Sequence, residues 1–240
     1  MHTLKVEKLV KTIKKTTIIT DISLHVKSGE IIGLLGPNGA GKTTTFYMIC
    51  GLIQPTKGEV YLDNQKITSM PLHKRSKLGI GYLPQESSIF KELSVEENLM
   101  LAAEIIYDKQ EDRERRVEEL LNLLNIEPIR QRKGLSLSGG ERRRCEIARS
   151  LAIQPKFLLL DEPFAGVDPI AVADIQNIVR DLIKLNIGVL ITDHNVRETL
   201  DICDRAYVIK NGSLLASGTS AQVAQDKSVR TYYLGEDFKL

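Results

Sequence analysis

The chain has 240 residues, 42% of them hydrophobic and 27% charged, and a formal net charge of +2. That length holds one large domain or a core with an inserted lobe, and so even a charge lacks the basic footprint of a nucleic-acid binder. No run approaches the roughly 18–20 apolar residues that cross a bilayer, and the stretch from Met1 to Leu9 has no apolar signal core.

The three cysteines, Cys50, Cys145 and Cys203, stand far apart without any C-x-x-C pairing. They read as small buried hydrophobes in a reducing compartment. The expectation is a cytosolic chain, with any membrane association made through partners.

The first sixty-odd residues read mostly as strands. Ile22, Leu24 and Val26 alternate with Ser23, His25 and Lys27, which predicts a half-buried strand ending at the Ser28-Gly29 turn. Residues 31–35 are apolar on both faces, as suits a parallel strand covered on both sides. Directly after them, Gly36-Pro37-Asn38-Gly39-Ala40-Gly41-Lys42-Thr43 matches G-x-x-x-x-G-K-[ST]. Glycines let the backbone wrap phosphate oxygens, and the amides at the start of the following helix, from Thr44 on, face the anion with the positive dipole end. Lys42 would reach the β- and γ-phosphates and Thr43 would help to hold Mg²⁺. A chance glycine-rich turn would not need a buried strand before it and a helix after it. Val60 and Leu62 then repeat the strand alternation.

From Ser94 the period becomes helical. Ser94 and Glu97 fit a capping box, and Val117, Leu120, Leu121 and Leu124 follow the spacing of one apolar helix face. Residues 90–154 therefore read as a helical lobe inserted into an α/β core. Inside it, Leu137-Ser138-Gly139-Gly140-Glu141 forms a second glycine-rich helix start, with Ser138 and Glu141 spaced as a capping box. Its first-turn amides suit phosphate, yet one ATP already has its loop. Two copies of the chain reconcile this if each lends its Ser138 segment to the other's ATP. The run Arg142-Arg143-Arg144 reads as a solvated helix face rather than a lipid or nucleic-acid site.

The core resumes at residues 157–160, where Asp161 and Glu162 stand at the C-terminal end of a buried strand, the ligand-binding end of a parallel sheet. Asp161 suits Mg²⁺, directly or through water, and Glu162 is spaced to polarise a water for attack on the γ-phosphate. Residues 188–191 repeat the buried strand, giving the βαβ pattern. Asn211-Gly212 between two apolar runs predicts a hairpin. The last twenty residues read as a short helix and a tail.

In this order the motifs resemble the ABC ATPase family, whose signature sequence matches Leu137 to Glu141. Gln85, after residues 80–83, is similar to that family's Q-loop glutamine, which touches Mg²⁺ and faces the transmembrane partner. Ala165-Gly166-Val167-Asp168 is similar to the D-loop at the dimer seam. His194 is similar to the switch histidine that contacts the γ-phosphate. The resemblance covers essentially the whole chain. It implies an α/β P-loop NTPase: a RecA-like core with an N-terminal antiparallel β region and an inserted α-helical subdomain. It also implies one nucleotide-binding domain over 1–240, with a C-terminal extension at about 221–240. ATP and Mg²⁺ are the implied cofactors, held at Gly36 to Thr44, in a head-to-tail homodimer with two ATP at the interface. Lys42, Gln85, Glu162 and His194 become the implied catalytic set. Thr43, Gln85 and Asp161 become the metal set, with Ser138, Gly139, Gly140, Glu141 and Asp168 reaching nucleotide across the dimer.

One departure is visible. The family stacks an aromatic residue on adenine, and Ile13 stands at the matching position. An isoleucine lacks π-stacking, worth about 1–3 kcal/mol on nucleic-acid platforms, so ATP and GTP should be poorly discriminated. A strong preference for ATP in a turnover comparison, with Ile13→Tyr alongside, would end that idea.

Several longer stretches, among them Lys42 to Met48, Asp161 to Pro169, Thr192 to Thr199 and the tail Tyr233 to Phe238, resemble the ATP-binding subunits of Gram-negative lipopolysaccharide exporters. That resemblance implies a place on the cytoplasmic face of the inner membrane beside transmembrane permease subunits. A partner groove is expected around Tyr82, Ile89 and Phe90, with Phe90 as anchor. The alternatives are the ATP subunit of a branched-chain amino-acid importer, a non-transport ATPase of the same family acting on nucleic acid or ribosomes, and a nucleotide-binding module without turnover. Intact Lys42, Glu162 and His194 argue against the last.

Overall fold

In the computed structural model, which describes residues 1–235 and Phe238, ten strands join in one sheet. The first is β1 (Thr3–Ile13), which pairs antiparallel with β2 (Thr16–Lys27) and with β4 (Lys57–Leu62), while β5 (Gln65–Lys66) extends that edge. The parallel half holds β6 (Ile80–Leu83), β7 (Phe157–Asp161), β8 (Gly188–Thr192), β3 (Ile31–Leu35) and β9 (Arg205–Lys210), neighbours in that order. A hairpin from β9 to β10 (Ser213–Thr219), turning at Asn211-Gly212, joins the two halves, since β10 bridges back to β2.

Strands β3, β7 and β8 are buried at every position. Their unbroken apolar runs are what helices on both faces require. One face carries α1 (Lys42–Cys50), the short α2 (Leu72–Lys77) and the core of the antiparallel half. The other packs against α6 (Pro169–Lys184) and a helical lobe of α3 (Val95–Ala103), α4 (Gln110–Leu123) and α5 (Gly139–Ala152). A third cluster gathers α7 (Val196–Ile202) and α8 (Ser220–Gln225) with Leu35, Val208, Tyr233, Leu234 and Phe238. The chain there also forms α9 (Lys227–Val229) and one π-helical turn at Arg230–Leu234. The tail motif of the exporter resemblance runs through 236 and 237, which lie outside the described residues.

Both capping boxes form as spaced: Ser94 with Glu97 at α3, and Ser138 with Glu141 at α5. Two expectations fail. Ile89 is buried in the core of the helical lobe and does not face a groove, because its side chain packs where Gly134 leaves room. Arg143 is also buried, so the triple-arginine run is not a wholly solvated face. Its position four residues before Ile147 puts it on the inward stripe of α5.

Candidate nucleotide site

The loop from Gly36 to Gly41 joins β3 to α1 and is shaped by what surrounds it. A Cβ at Gly36 would lie 2.1 Å from the Ile209 carbonyl oxygen, and Gly41, at φ 105°, opens α1 without any side-chain cap. The first-turn amides of α1 are thus left for an anion, at the positive end of the helix. Gly212 N–H donates to the Ala40 carbonyl at 3.0 Å, so the β9–β10 hairpin buttresses the loop from behind. Lys42 folds back inside it, its Nζ donating to the carbonyls of Gly36 (2.7 Å) and Pro37 (3.1 Å). Burial lowers the Lys42 pKa, while the carboxylates of Glu162, Asp161 and Asp193 oppose that fall.

Beside the loop lies a cavity of about 220 Å³ lined by Ile18, residues 38–44, Glu162 and His194. Three side chains far apart in sequence converge at its edge. Gln85 Nε2 donates to Glu162 Oε2 at 2.6 Å, and His194 Nε2 stands 2.7 Å from Glu162 Oε1. Glu162 itself takes φ 48°, the left-handed region, with its amide donating to the Thr192 carbonyl at 2.7 Å. Such a backbone in a non-glycine residue costs on the order of 1–3 kcal/mol and concentrates at functional sites. Here it aims a carboxylate at the phosphate loop.

Asp161, one residue earlier, is 1% exposed. Its Oδ2 receives only a long 3.5 Å contact from the Tyr82 hydroxyl, and its Oδ1 has no hydrogen-bond partner among the described residues. A buried carboxylate oxygen without a donor suits a hard divalent cation, and Mg²⁺ takes few protein ligands beside substrate phosphates. The unpartnered oxygen therefore suits Mg²⁺, which Asp161 and Thr43 would hold.

Burial, and then the Glu162 charge, push the Asp161 pKa from 3.8 to about 6. The folded protein thus holds this proton more tightly than the unfolded chain. Ionising Asp161 costs stability, a cost absent below pH 3.8 and complete above about pH 6. Asp161→Asn should therefore stabilise the nucleotide-free protein by about 1–3 kcal/mol near pH 7.5, while ending Mg²⁺-dependent nucleotide tightening. Thermal melts should show that gain shrinking towards pH 5; a gain independent of pH would contradict it.

Asp193 ties the His194 segment to its neighbour, accepting from the amides of Asn195 (2.8 Å) and Phe164 (3.0 Å). Burial raises its pKa. Phe164 leads into the exposed Ala165 and Gly166, and Asp168 caps α6 by accepting from the Ala171 amide at 3.0 Å. The Ser138 helix start lies against this same segment: a Cβ on Gly139 would meet the Gly166 carbonyl at 3.2 Å. Ser138 and Gly139 are exposed and do not line the cavity at the phosphate loop. One chain thus presents its phosphate loop and its Ser138 segment as separate surfaces. Ile13 does not line the cavity either. It pairs with Thr16 at the hairpin end, 46% exposed, and Ile18 lines the cavity instead.

Sequence reasoning missed Arg143. Its guanidinium donates to the carbonyls of Pro163, Pro84, Asp161 and Glu162 at 3.0–3.2 Å and pairs with Glu146 at 3.2 Å. Glu146 in turn accepts from Ser87 Oγ and the Ser88 amide, each at 2.8 Å. Helix α5 is thereby bolted to the Asp161-Glu162 strand end and to the segment after Gln85.

A phosphate loop on a parallel sheet, an inserted helical lobe and a Ser-Gly-Gly helix start define an ATP-binding cassette, and the chain belongs to the ABC transporter family, whose profile matches residues 19–165. This class of protein is an ATPase. Over its full length the chain is 55% identical to the lipopolysaccharide export system ATP-binding protein LptB of Haemophilus influenzae, covering 100% of both. Among solved structures it resembles the ADP conformation of MJ1267, an ATP-binding cassette of an ABC transporter. The TM-score is 0.88 at 31% identity, over 98% of this chain and 100% of that one. It also resembles the dimeric post-hydrolysis state of the cassette MJ0796 bound to ADP and Pi. There the TM-score is 0.80 at 28% identity, over 90% of this chain and 98% of that one. Among the described residues no helix is long and apolar enough to cross a membrane.

Proposed function

We propose that this chain is the ATP-hydrolysing subunit of a lipopolysaccharide exporter, working as a head-to-tail homodimer on the cytoplasmic face of the inner membrane beside two permease subunits. The convergence of Gln85 and His194 on the Glu162 carboxylate, at the rim of the phosphate loop, is the observation that carries the ATPase half. Glu162 takes the attacking water's proton, His194 contacts the γ-phosphate, and Gln85 would touch the metal and face the membrane partner. Lys42 and the first-turn amides of α1 neutralise phosphate charge. Thr43 and Asp161 would hold Mg²⁺, which would supply further charge neutralisation. Ser138 to Glu141 of the second copy, beside its Asp168, complete each site. The exporter half rests on full-length similarity to a lipopolysaccharide export protein. No observation favours an amino-acid importer or a nucleic-acid-acting ATPase.

The partner groove is the open, apolar one of about 560 Å³ whose walls include Leu72, Tyr82, Phe90, Leu101 and Ile105. Phe90 is 48% exposed, with the Arg149 guanidinium 5.0 Å from its ring centroid, while Arg149 also donates to Ser88 Oγ at 2.6 Å. That contact links the groove to the Glu146 end of the Arg143 network. Buried aromatic anchors cost about 2 kcal/mol or more when truncated. Phe90→Ala should keep the isolated ATPase and lose co-purification with the membrane subunits. Identification of those subunits, with lipopolysaccharide-dependent turnover in the intact complex, tests the whole reading; co-purification with a different permease would sink its exporter half.

A further inference from the structure

Arg75 lies in α2 and is 0% exposed. Its guanidinium sits at the C-terminal end of α1. One amino group donates to the carbonyls of Met48 (2.8 Å) and Ile49 (2.5 Å). The other donates to Thr68 (2.7 Å), and Nε donates to Met70 (2.8 Å). All four acceptors are backbone carbonyls; among the described residues none is a carboxylate. Gly51, the left-handed cap of α1, is needed for this approach, because a Cβ there would lie 2.8 Å from Arg75 Nε. Burial lowers the Arg75 pKa to about 10, so the group remains a cation at neutral pH.

A cation with no carboxylate partner is a costly thing to bury, and carbonyls alone could be satisfied by cheaper donors. What distinguishes the place is the helix it terminates. The nine residues of α1 span roughly 14 Å, and the opposite end is the uncapped first turn beside Lys42. A fixed cation on the last carbonyls offsets the negative pole of α1 and adds to the positive potential at its first turn.

We infer that Arg75 is a positioning residue for the nucleotide: it fixes the far end of the phosphate-binding helix and supplies buried positive charge behind the phosphates, so that its contribution grows with the charge of the bound nucleotide. The inference rests on the nucleotide reading of the phosphate loop and is independent of the exporter reading. The guanidinium and a phosphate each stand about 3 Å beyond an end of α1, so Coulomb's law at an effective dielectric constant near 20 makes one such pair of unit charges, ~20 Å apart, worth about a fourfold change in binding constant, less where solvent screens it.

The test is titration of the full chain with ATP and with ADP, without Mg²⁺, in three variants. Arg75→Gln should weaken both nucleotides, ATP by about two- to fourfold more than ADP. Arg75→Lys, which keeps the charge and loses the fork, should show no such charge grading. Cys50→Asp sets a carboxylate near the guanidinium and should reproduce the graded loss with the arginine in place, which keeps the test open if Arg75→Gln fails to fold. Equal factors for ATP and ADP, or no loss in folded protein, overturn the inference. A parent chain that binds neither nucleotide overturns the nucleotide reading instead.

Discussion

Replacing Glu162 with glutamine is expected to cut ATP turnover by about 10²–10⁴-fold, the usual worth of a positioned proton acceptor, while ATP still assembles a dimer. The substitution changes little but basicity. Glutamine matches the carboxylate in size and can still accept from Gln85 Nε2, which stands 2.6 Å away, and reach His194, 2.7 Å on the other side. What it cannot do is take a proton from water. The backbone at 162, already held at φ 48° by its hydrogen bond to the Thr192 carbonyl, has no reason to move. Phosphate release and gel filtration with ATP give the two readouts. Undiminished turnover would remove Glu162 from its role, and loss of nucleotide binding would mean that the residue shapes the pocket instead.

A second large effect is expected at Arg143, in stability as well as turnover. Arg143→Ala strands the buried Glu146 charge and leaves four carbonyls without their donor. Breaking a buried pair from one side costs about 3–5 kcal/mol, which for a domain this size lowers Tm by roughly 10 °C. Turnover should also fall at temperatures where the variant is folded, because two of the lost carbonyl contacts belong to Asp161 and Glu162. The double variant Arg143→Ala/Glu146→Leu separates the causes. It should recover the share due to the stranded carboxylate, less the hydrogen bonds that Ser87 and Ser88 lose with it, and none of that due to the carbonyls. Calorimetric melts of the three proteins decide it. Equal losses in the single and double variants would mean that the stranded carboxylate costs no more than its hydrogen bonds from Ser87 and Ser88 give back.

The two buried arginines also mark where sequence reading stops. The phosphate loop, the acidic strand end and both capping boxes were legible because each is a local pattern whose chemistry lies within a few residues. Arg143 was legible in principle. Its spacing from Ile147 and Leu151 puts it on the apolar stripe, but a run of three arginines reads first as solvent-facing charge. Arg75 was not legible, since six residues of α2 are too few for periodicity to speak. Ile89 beside Phe90 was misread for the same reason: in an irregular segment, adjacent apolar residues carry no signal of which one turns inward. The meeting of Gln85, Glu162 and His194 came only from family resemblance, as no local rule joins residues separated by 77 positions.

The strand order carries a consequence for biogenesis. Strand β3, which leads into the phosphate loop, has β8 and β9 as its two neighbours, and the loop's rear support is the hairpin at Gly212. All of these come long after the loop in the chain. A nascent polypeptide emerging from the ribosome therefore carries the complete glycine-lysine motif while neither sheet neighbour of β3 is yet in place. Such late, long-range closure is slow and leaves apolar edges open to aggregation in the meantime. It also means that the fuel site takes shape only once β8, β9 and the Gly212 hairpin have all left the ribosome.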